Sequence, residues 1–195
     1  MLVCEIDARI VFKMLGAFRQ IDIDRSGQIS AMELFNHYSV VDTEFNRRAM
    51  AVMDDRPPEH MSLDIVEFIA AVFNYCTYDR TTLLHFVFHM FDEDDSGYLE
   101  ISEFTALVQY VYGRPLTDRV LSAIDACDAA ASGNITRDEF VLKCRDFPVL
   151  ISPAFTLQEV LHQSIVGSKF WKKLQDRRTT SNDDLYQKIR SMHAM

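Results

Sequence analysis

The segment DEDDSGYLEISE, residues 92–103, decides how this chain folds. It places Asp92, Asp94 and Ser96 at its first, third and fifth positions, Gly97 at the sixth, Tyr98 at the seventh, Glu100 at the ninth and Glu103 at the twelfth. Side-chain oxygens at alternate positions, with the backbone carbonyl of Tyr98, surround a turn. Glycine permits the sharp bend, and the final glutamate offers both carboxylate oxygens. Together they supply the roughly six to eight hard oxygens that calcium takes. Glu93 and Asp95 fall between the ligand positions and are expected only to add negative field.

The scheme recurs. In DIDRSGQISAME, residues 22–33, the same places hold Asp22, Asp24, Ser26, the Gln28 carbonyl, Ser30 and Glu33. Four Glu-Phe or Glu-Leu pairs, at Glu33, Glu67, Glu103 and Glu139, follow one another at intervals of 34, 36 and 36 residues. An apolar residue stands four places before each: Ile29, Leu63, Leu99 and Ile135. A period of this size marks one supersecondary unit used repeatedly. The second unit, RPPEHMSLDIVE, has Arg56 first and Pro58 third, which repel a cation and lack a side-chain oxygen, so it is read as a structural partner of the first. The fourth, DAAASGNITRDE, keeps Asp128, Ser132, the Asn134 carbonyl, Thr136 and Glu139, but Ala130 removes one anionic ligand. Fewer ligand charges weaken binding. The fourth loop is therefore either a weak calcium site or one that stays empty at signalling calcium.

Helical spacing flanks the loops, as in Val11, Met14, Leu15 and Phe18, and in Leu84, Val87, Phe88 and Phe91. Each unit thus reads as helix, loop, helix. No long alternating run is present, so strand content is expected to be small: Ile29 with Leu63, and Leu99 with Ile135, in short ribbons that couple the units in twos.

On these loops and this period the chain resembles the EF-hand superfamily over residues 11–145, and its four-unit layout is similar to the calmodulin, calcineurin-B-like and neuronal-sensor group. The resemblance implies an all-α fold of two lobes: a first pair of hands over 1–76, a second over 77–147, and a helical extension over 148–195. It implies a calcium sensor or adaptor in which Glu33 and Glu103 act as levers on the outgoing helices and open an apolar groove for a target protein or amphipathic helix. Met14, Met32, Met50, Met53 and Met90 are candidates for that groove. Leu2 excludes the N-myristoylation signal usual in neuronal sensors, whose inactive first hand is also unmatched here. The complete loop set of the calcineurin-B-like proteins is likewise not matched. The alternative function is a calcium buffer or a constitutive structural subunit stabilised by the ion.

Composition agrees with a folded body. The 195 residues are 48% hydrophobic and 11% aromatic, with a formal net charge of -9, which disfavours nucleic acid as a partner. Residues 1–150 hold 13 bases and 25 acids, whereas the remainder holds 7 bases and 4 acids. In the basic end, TLQEVLHQSIVGSKFWKKLQDRR, residues 156–178, reads as an amphipathic helix weakened at Gly167, with Leu157, Leu161, Phe170 and Trp171 on its apolar side. Such a helix suits an acidic, apolar groove. Three roles are open to it: occupying the chain's own groove in competition with a target, completing the core, or touching an anionic membrane. A hinge is expected at 179–181.

Cys4, Cys76, Cys127 and Cys144 form no C-x-x-C pair and read as reduced thiols of a cytoplasmic protein. The charged N-terminal stretch fits neither a signal peptide nor a membrane span. His85 and His89 share a helix face, but HFVFH lacks the glutamate of a zinc protease motif. No nucleophile, base and orienting group stand out together, so no enzyme activity and no organic cofactor are expected.

Overall fold

The computed structural model describes residues 8–53, 62–113, 116–118, 124 and 133–176. The first described element is helix α1 (Ala8–Ile21), in which Met14, Phe18 and Ile21 share the buried face. The first loop leads through β1 (Gln28–Ser30) into α2 (Ala31–Tyr38), and α3 (Glu44–Met53) begins the second hand. That hand closes with β2 (Ser62–Asp64) and α4 (Ile65–Thr77), whose first turn is fixed by a capping box: the Asp64 carboxylate accepts from the Glu67 amide, and the Glu67 side chain accepts from the Asp64 amide. Only Tyr78 and Asp79 separate α4 from α5 (Arg80–Phe91), which Asp79 caps by accepting from the Thr82 amide at 2.7 Å. The third loop passes through β3 (Tyr98–Glu100) to α6 (Ile101–Tyr112). In the fourth hand, β4 (Asn134–Thr136) and α7 (Arg137–Asp146) are described.

The paired loops meet as the repeat predicts. β1 and β2 are antiparallel with Ile29 opposite Leu63, and β3 and β4 with Leu99 opposite Ile135. All four apolar residues are buried. Above each ribbon the first and last helices of the pair touch through an edge-to-face aromatic contact, Phe18 with Phe68 at 5.6 Å and Phe88 with Phe140 at 5.7 Å. The two pairs share a single core. α3 lies against both α5 and α6, and Phe45 packs on Phe91 across that junction.

The C-terminal region differs from a single amphipathic helix. A short 3₁₀ turn (Pro148–Ile151) precedes α8 (Ser152–Ser164), the chain then breaks, and residues 168–176 are helical again as α9. At the break Val166 has φ +69° and Gly167 φ +107°, and the Gly167 amide reaches back to the Ile165 carbonyl at 2.8 Å, a γ-turn. That carbonyl also accepts the Trp171 indole N–H at 2.5 Å, so the second helix pins the break.

Both helices cover the junction of the two halves. α8 lies against α2, α3, α4 and α5, and its Ala154, Leu157 and Leu161 join the common core. The last carbonyls of a helix have no acceptor role inside it, and here the C-terminal region fills that need. Gln158 Nε2 donates to the carbonyls of Tyr75 and Tyr78, His162 Nε2 to that of Cys76, and Gln175 Nε2 to that of Tyr78. In return the Tyr75 hydroxyl donates to the Ala154 carbonyl at 2.9 Å.

Of the groove candidates, Met14, Met50 and Met90 are buried in the core here, and Met32, at 65% exposed, is on the surface. The side chain of Met53 and the hinge expected at 179–181 lie outside what the structure describes. No helix among the described residues is long and apolar enough to cross a membrane.

Candidate metal centre

The first loop is built by two local devices. Gly27 takes φ +80°, a left-handed conformation that strains other residues, and its amide donates to Asp22 Oδ2 at 3.1 Å. The Ser26 amide donates to Asp24 Oδ1 at 2.9 Å, and the Ser26 hydroxyl to the Gln28 carbonyl at 3.0 Å. At the far end Ser30 caps α2, and Glu33, three places on, folds back: its Oε2 accepts from the Ser30 amide and hydroxyl, and its Oε1 from the Ile23 amide at 3.2 Å. The result brings one carboxylate oxygen from each of Asp22, Asp24 and Glu33 within 4.8 Å of one another.

The third loop repeats this arrangement. Gly97 has φ +82° and donates to Asp92 Oδ2 at 3.0 Å, the Ser96 hydroxyl donates to the Tyr98 carbonyl at 2.9 Å, and the Glu93 amide donates to Glu103 Oε1 at 2.9 Å. Glu103 Oε2 accepts from the Glu100 amide at 2.9 Å. Asp92, Asp94 and Glu103 converge within the same 4.8 Å limit. Among the described residues these two acidic sets are the groups of three or more potential ligands brought so close; neither His85 nor His89 belongs to one.

The residues fit a hard cation. Like charges drawn together repel, and carboxylate oxygens are the donors calcium prefers. In the first loop Asp22 Oδ1 is buried and has no hydrogen-bond partner, a costly state for a carboxylate oxygen that a cation relieves. Two carboxyls of this loop, on Glu33 and Asp24, are held toward their ionised form. For Glu33, burial pushes its pKa up, but bonds from the Ser30 amide, the Ser30 hydroxyl and the Ile23 amide outweigh burial and hold it below its ordinary value. The amide and hydroxyl of Ser26 do the same for Asp24.

The other two loops are seen in part. In the second, the Ser62 hydroxyl donates to the Gln28 side chain at 2.8 Å, while Asp64 and Glu67 are engaged in the cap of α4. In the fourth, Gly133 keeps the left-handed turn at φ +79°, and Glu139 Oε2 accepts from the Thr136 amide and hydroxyl. Asn134 and Thr136 sit in the ribbon; Asp128, Ala130 and Ser132 lie outside the described residues. Loop spacing alone missed Glu93, whose carboxylate is held by Arg48 from α3 at 2.6 Å. Residues 45 apart carry no local sign of such a contact.

Comparison with known proteins agrees with this geometry. A family model for an EF-hand domain pair matches residues 81–145, and an EF-hand model matches residues 15–34. The type 2 calcineurin B protein from Homo sapiens is 29% identical over 145 residues, covering 70% of this chain and 84% of the relative. The calcineurin B protein from Naegleria gruberi is 28% identical over 135 residues, covering 66% of this chain and 75% of the relative. Calcium-dependent protein kinase 9 from Arabidopsis thaliana is 29% identical over 144 residues, which cover 72% of this chain but only 26% of the kinase. The loops, their ribbons and these matches identify residues 15–34 and 81–145 as EF-hands, in a chain similar to the calcineurin-B-like calcium sensors, and its cofactor is Ca2+.

Proposed function

We propose that the chain is a calcium-dependent adaptor that regulates another protein through an apolar groove and performs no catalysis itself. One ion is held by Asp22, Asp24, Ser26, the Gln28 carbonyl, Ser30 and Glu33, and a second by Asp92, Asp94, Ser96, the Tyr98 carbonyl, Glu100 and Glu103. Asp128, Ser132, the Asn134 carbonyl, Thr136 and Glu139 form a weaker third site. The observation that carries this reading is the convergence of three carboxylates in each competent loop, the last from the first turn of the outgoing helix.

Bound calcium supplies the positive charge that offsets these carboxylates. Glu33 and Glu103 are the moving parts. Each now spends its oxygens on backbone amides at both ends of its loop, and turning those oxygens inward loosens these bonds and drags the first turn of α2 or α6 with them. Helix movement in these hands alters the surface where α8 lies. Beside α8 a cavity of about 330 Å³ opens between the α2–α3 connection and the end of α6, lined by Val40, Val41, Phe45, Tyr110, Leu157 and Val160. α8 and α9 take the place on the body that an amphipathic target helix takes on binding, and compete with it. The setting is cytoplasmic, in keeping with Cys76, a buried thiol.

Trp171, the only tryptophan, reports on this. It is fully buried, so its emission is expected to move to longer wavelength when calcium and a synthetic peptide of residues 152–178 carrying Trp171→Phe, which adds no indole of its own, are added together, and the shift is expected to be lost in Glu103→Gln. Calcium uptake with no change in emission or in binding of a hydrophobic dye refutes the adaptor reading. It favours instead a buffer or a constitutive subunit, the role that complete burial of Trp171 would suit.

A further inference from the structure

The third loop is gripped by a side chain from the other half of the molecule. Arg48, on α3, donates from Nε to the Met90 carbonyl at 2.6 Å, pairs through Nη2 with Glu93 Oε1 at 2.6 Å, and lays its guanidinium over the Phe91 ring at 4.9 Å. Met90 and Phe91 end α5, where carbonyls lack partners within the helix. Glu93 is the second residue of the loop, and its own amide donates to Glu103 Oε1. One side chain therefore fixes both the end of the incoming helix and the residue that holds the twelfth-position carboxylate.

Among the described residues the first loop has no such brace. Its second residue, Ile23, makes the same backbone bond to Glu33 Oε1 at 3.2 Å, but has no carboxylate and is 69% exposed. The first loop shares the ligand scheme but not this brace, and so serves as an internal control for the third.

We propose that Arg48 is a positioning residue for the third loop: it holds the end of α5 and Glu93 where the oxygens of Asp92, Asp94 and Glu103 converge, so that a residue of the second hand sets calcium affinity in the third. This rests on the third loop taking calcium. The Glu93 side chain is 64% exposed against 24% for Arg48, so water screens the ion pair, and the bond to Met90 with the contact on Phe91 carries most of the effect. Arg48 also places a positive charge near the site, which by itself opposes a cation. Positioning and charge therefore act in opposite directions.

Arg48→Lys separates them, because lysine keeps the charge but cannot make the two-pronged contact. Gly97 and Gly27 donate their amides to Asp92 and Asp22, so in a ¹H–¹⁵N calcium titration of the full chain each amide follows its own loop. Arg48→Lys is expected to raise the calcium concentration at the Gly97 midpoint about fivefold, the net scale of one ordinary hydrogen bond, and to leave the Gly27 midpoint in place. Glu93→Gln, which weakens the exposed pair and also removes one negative charge from the loop, is expected to raise it about twofold, the scale of an exposed ion pair. An unchanged Gly97 midpoint in Arg48→Lys overturns the proposal, as does an equal shift at both glycines, which would mean general destabilisation. Tighter binding in Arg48→Ala with no change in Arg48→Lys also overturns it, leaving charge alone. A wild-type Gly97 amide that ignores calcium would instead remove the calcium reading of the third loop itself.

Discussion

Replacing Trp171 tests whether the C-terminal region belongs to the folded body. The side chain is fully buried, with Phe73 at 6.2 Å and Phe170 at 5.0 Å in edge-to-face contact and His162 stacked at 6.1 Å. An indole of about 200 Å² removed from water contributes about 5 kcal/mol at 25 cal/mol per Å². A compact unfolded chain lowers this to about 3–4.5 kcal/mol, within the range of about 3–5 kcal/mol seen when large aromatic core residues become alanine. Trp171→Ala is therefore expected to cost about 4 kcal/mol. Trp171→Phe keeps most of the packing but leaves the Ile165 carbonyl without its 2.5 Å indole bond at the chain break, a loss of about 1–2 kcal/mol. The assay is urea unfolding followed by far-ultraviolet circular dichroism, in calcium and in chelator, with the whole helical signal as the readout. If α8 and α9 were a loosely attached arm, the main transition in Trp171→Ala would stay within about 0.5 kcal/mol of wild type. That result would refute the assignment of these helices to the common core.

Acid sensitivity follows from the first loop. Both Asp24 and Glu33 titrate below their ordinary values of 3.8 and 4.5, so in calcium-free protein their contribution is complete above those unfolded-state values and disappears as pH falls through the lower folded ones. Glu33→Gln is expected to shrink the loss of stability between pH 4.5 and pH 2, measured by thermal melting across that range, and an unchanged acid limb would show that the Ser30 and Ile23 bonds do not hold the carboxyl down. In the fourth loop, Ala130→Asp restores the missing anionic ligand and is expected to add or tighten one site in calorimetric titration by about tenfold, following ligand charge; no change would mean that another residue blocks the loop.

What the sequence reveals is whatever short spacing fixes. Alternate oxygens, a glycine at the sixth place and a glutamate at the twelfth are local, and a period near 36 residues aligns the loops; hence Ile29 pairs with Leu63 and Leu99 with Ile135 as expected. Helical spacing likewise shows that Met14 has an apolar side, but the spacing is the same whether that side faces a groove or a core. Only the packing of the other helices decides, and it buries Met14, Met50 and Met90. The break after α8 is hidden for a related reason. Apolar residues keep a helical rhythm through 165–167, and Gly167 alone suggests weakness, whereas a left-handed valine at 166 is not foreseeable from a β-branched residue. Its partner, the Trp171 indole, lies on the next helix.

The same distinction explains why the loops and the body carry different kinds of information. Each calcium loop is almost self-contained, since its oxygens are oriented by amides within the same twelve residues, and two copies with similar sequences take similar shapes. The links that make the four hands one molecule are all long-range. Tyr75 to Ala154, His162 to Cys76 and Arg48 to Met90 join residues 79, 86 and 42 apart. His162 and Arg48 each occupy a carbonyl near the C-terminal end of a helix, the backbone group that helices leave unsatisfied, whereas Tyr75 reaches a carbonyl in the first turn of α8. If a change in a loop moves helix ends, these three contacts are where it is expected to reach the body. A loop variant that altered calcium binding without altering exchange protection at Tyr75, Cys76 or Met90 would show that the hands act independently.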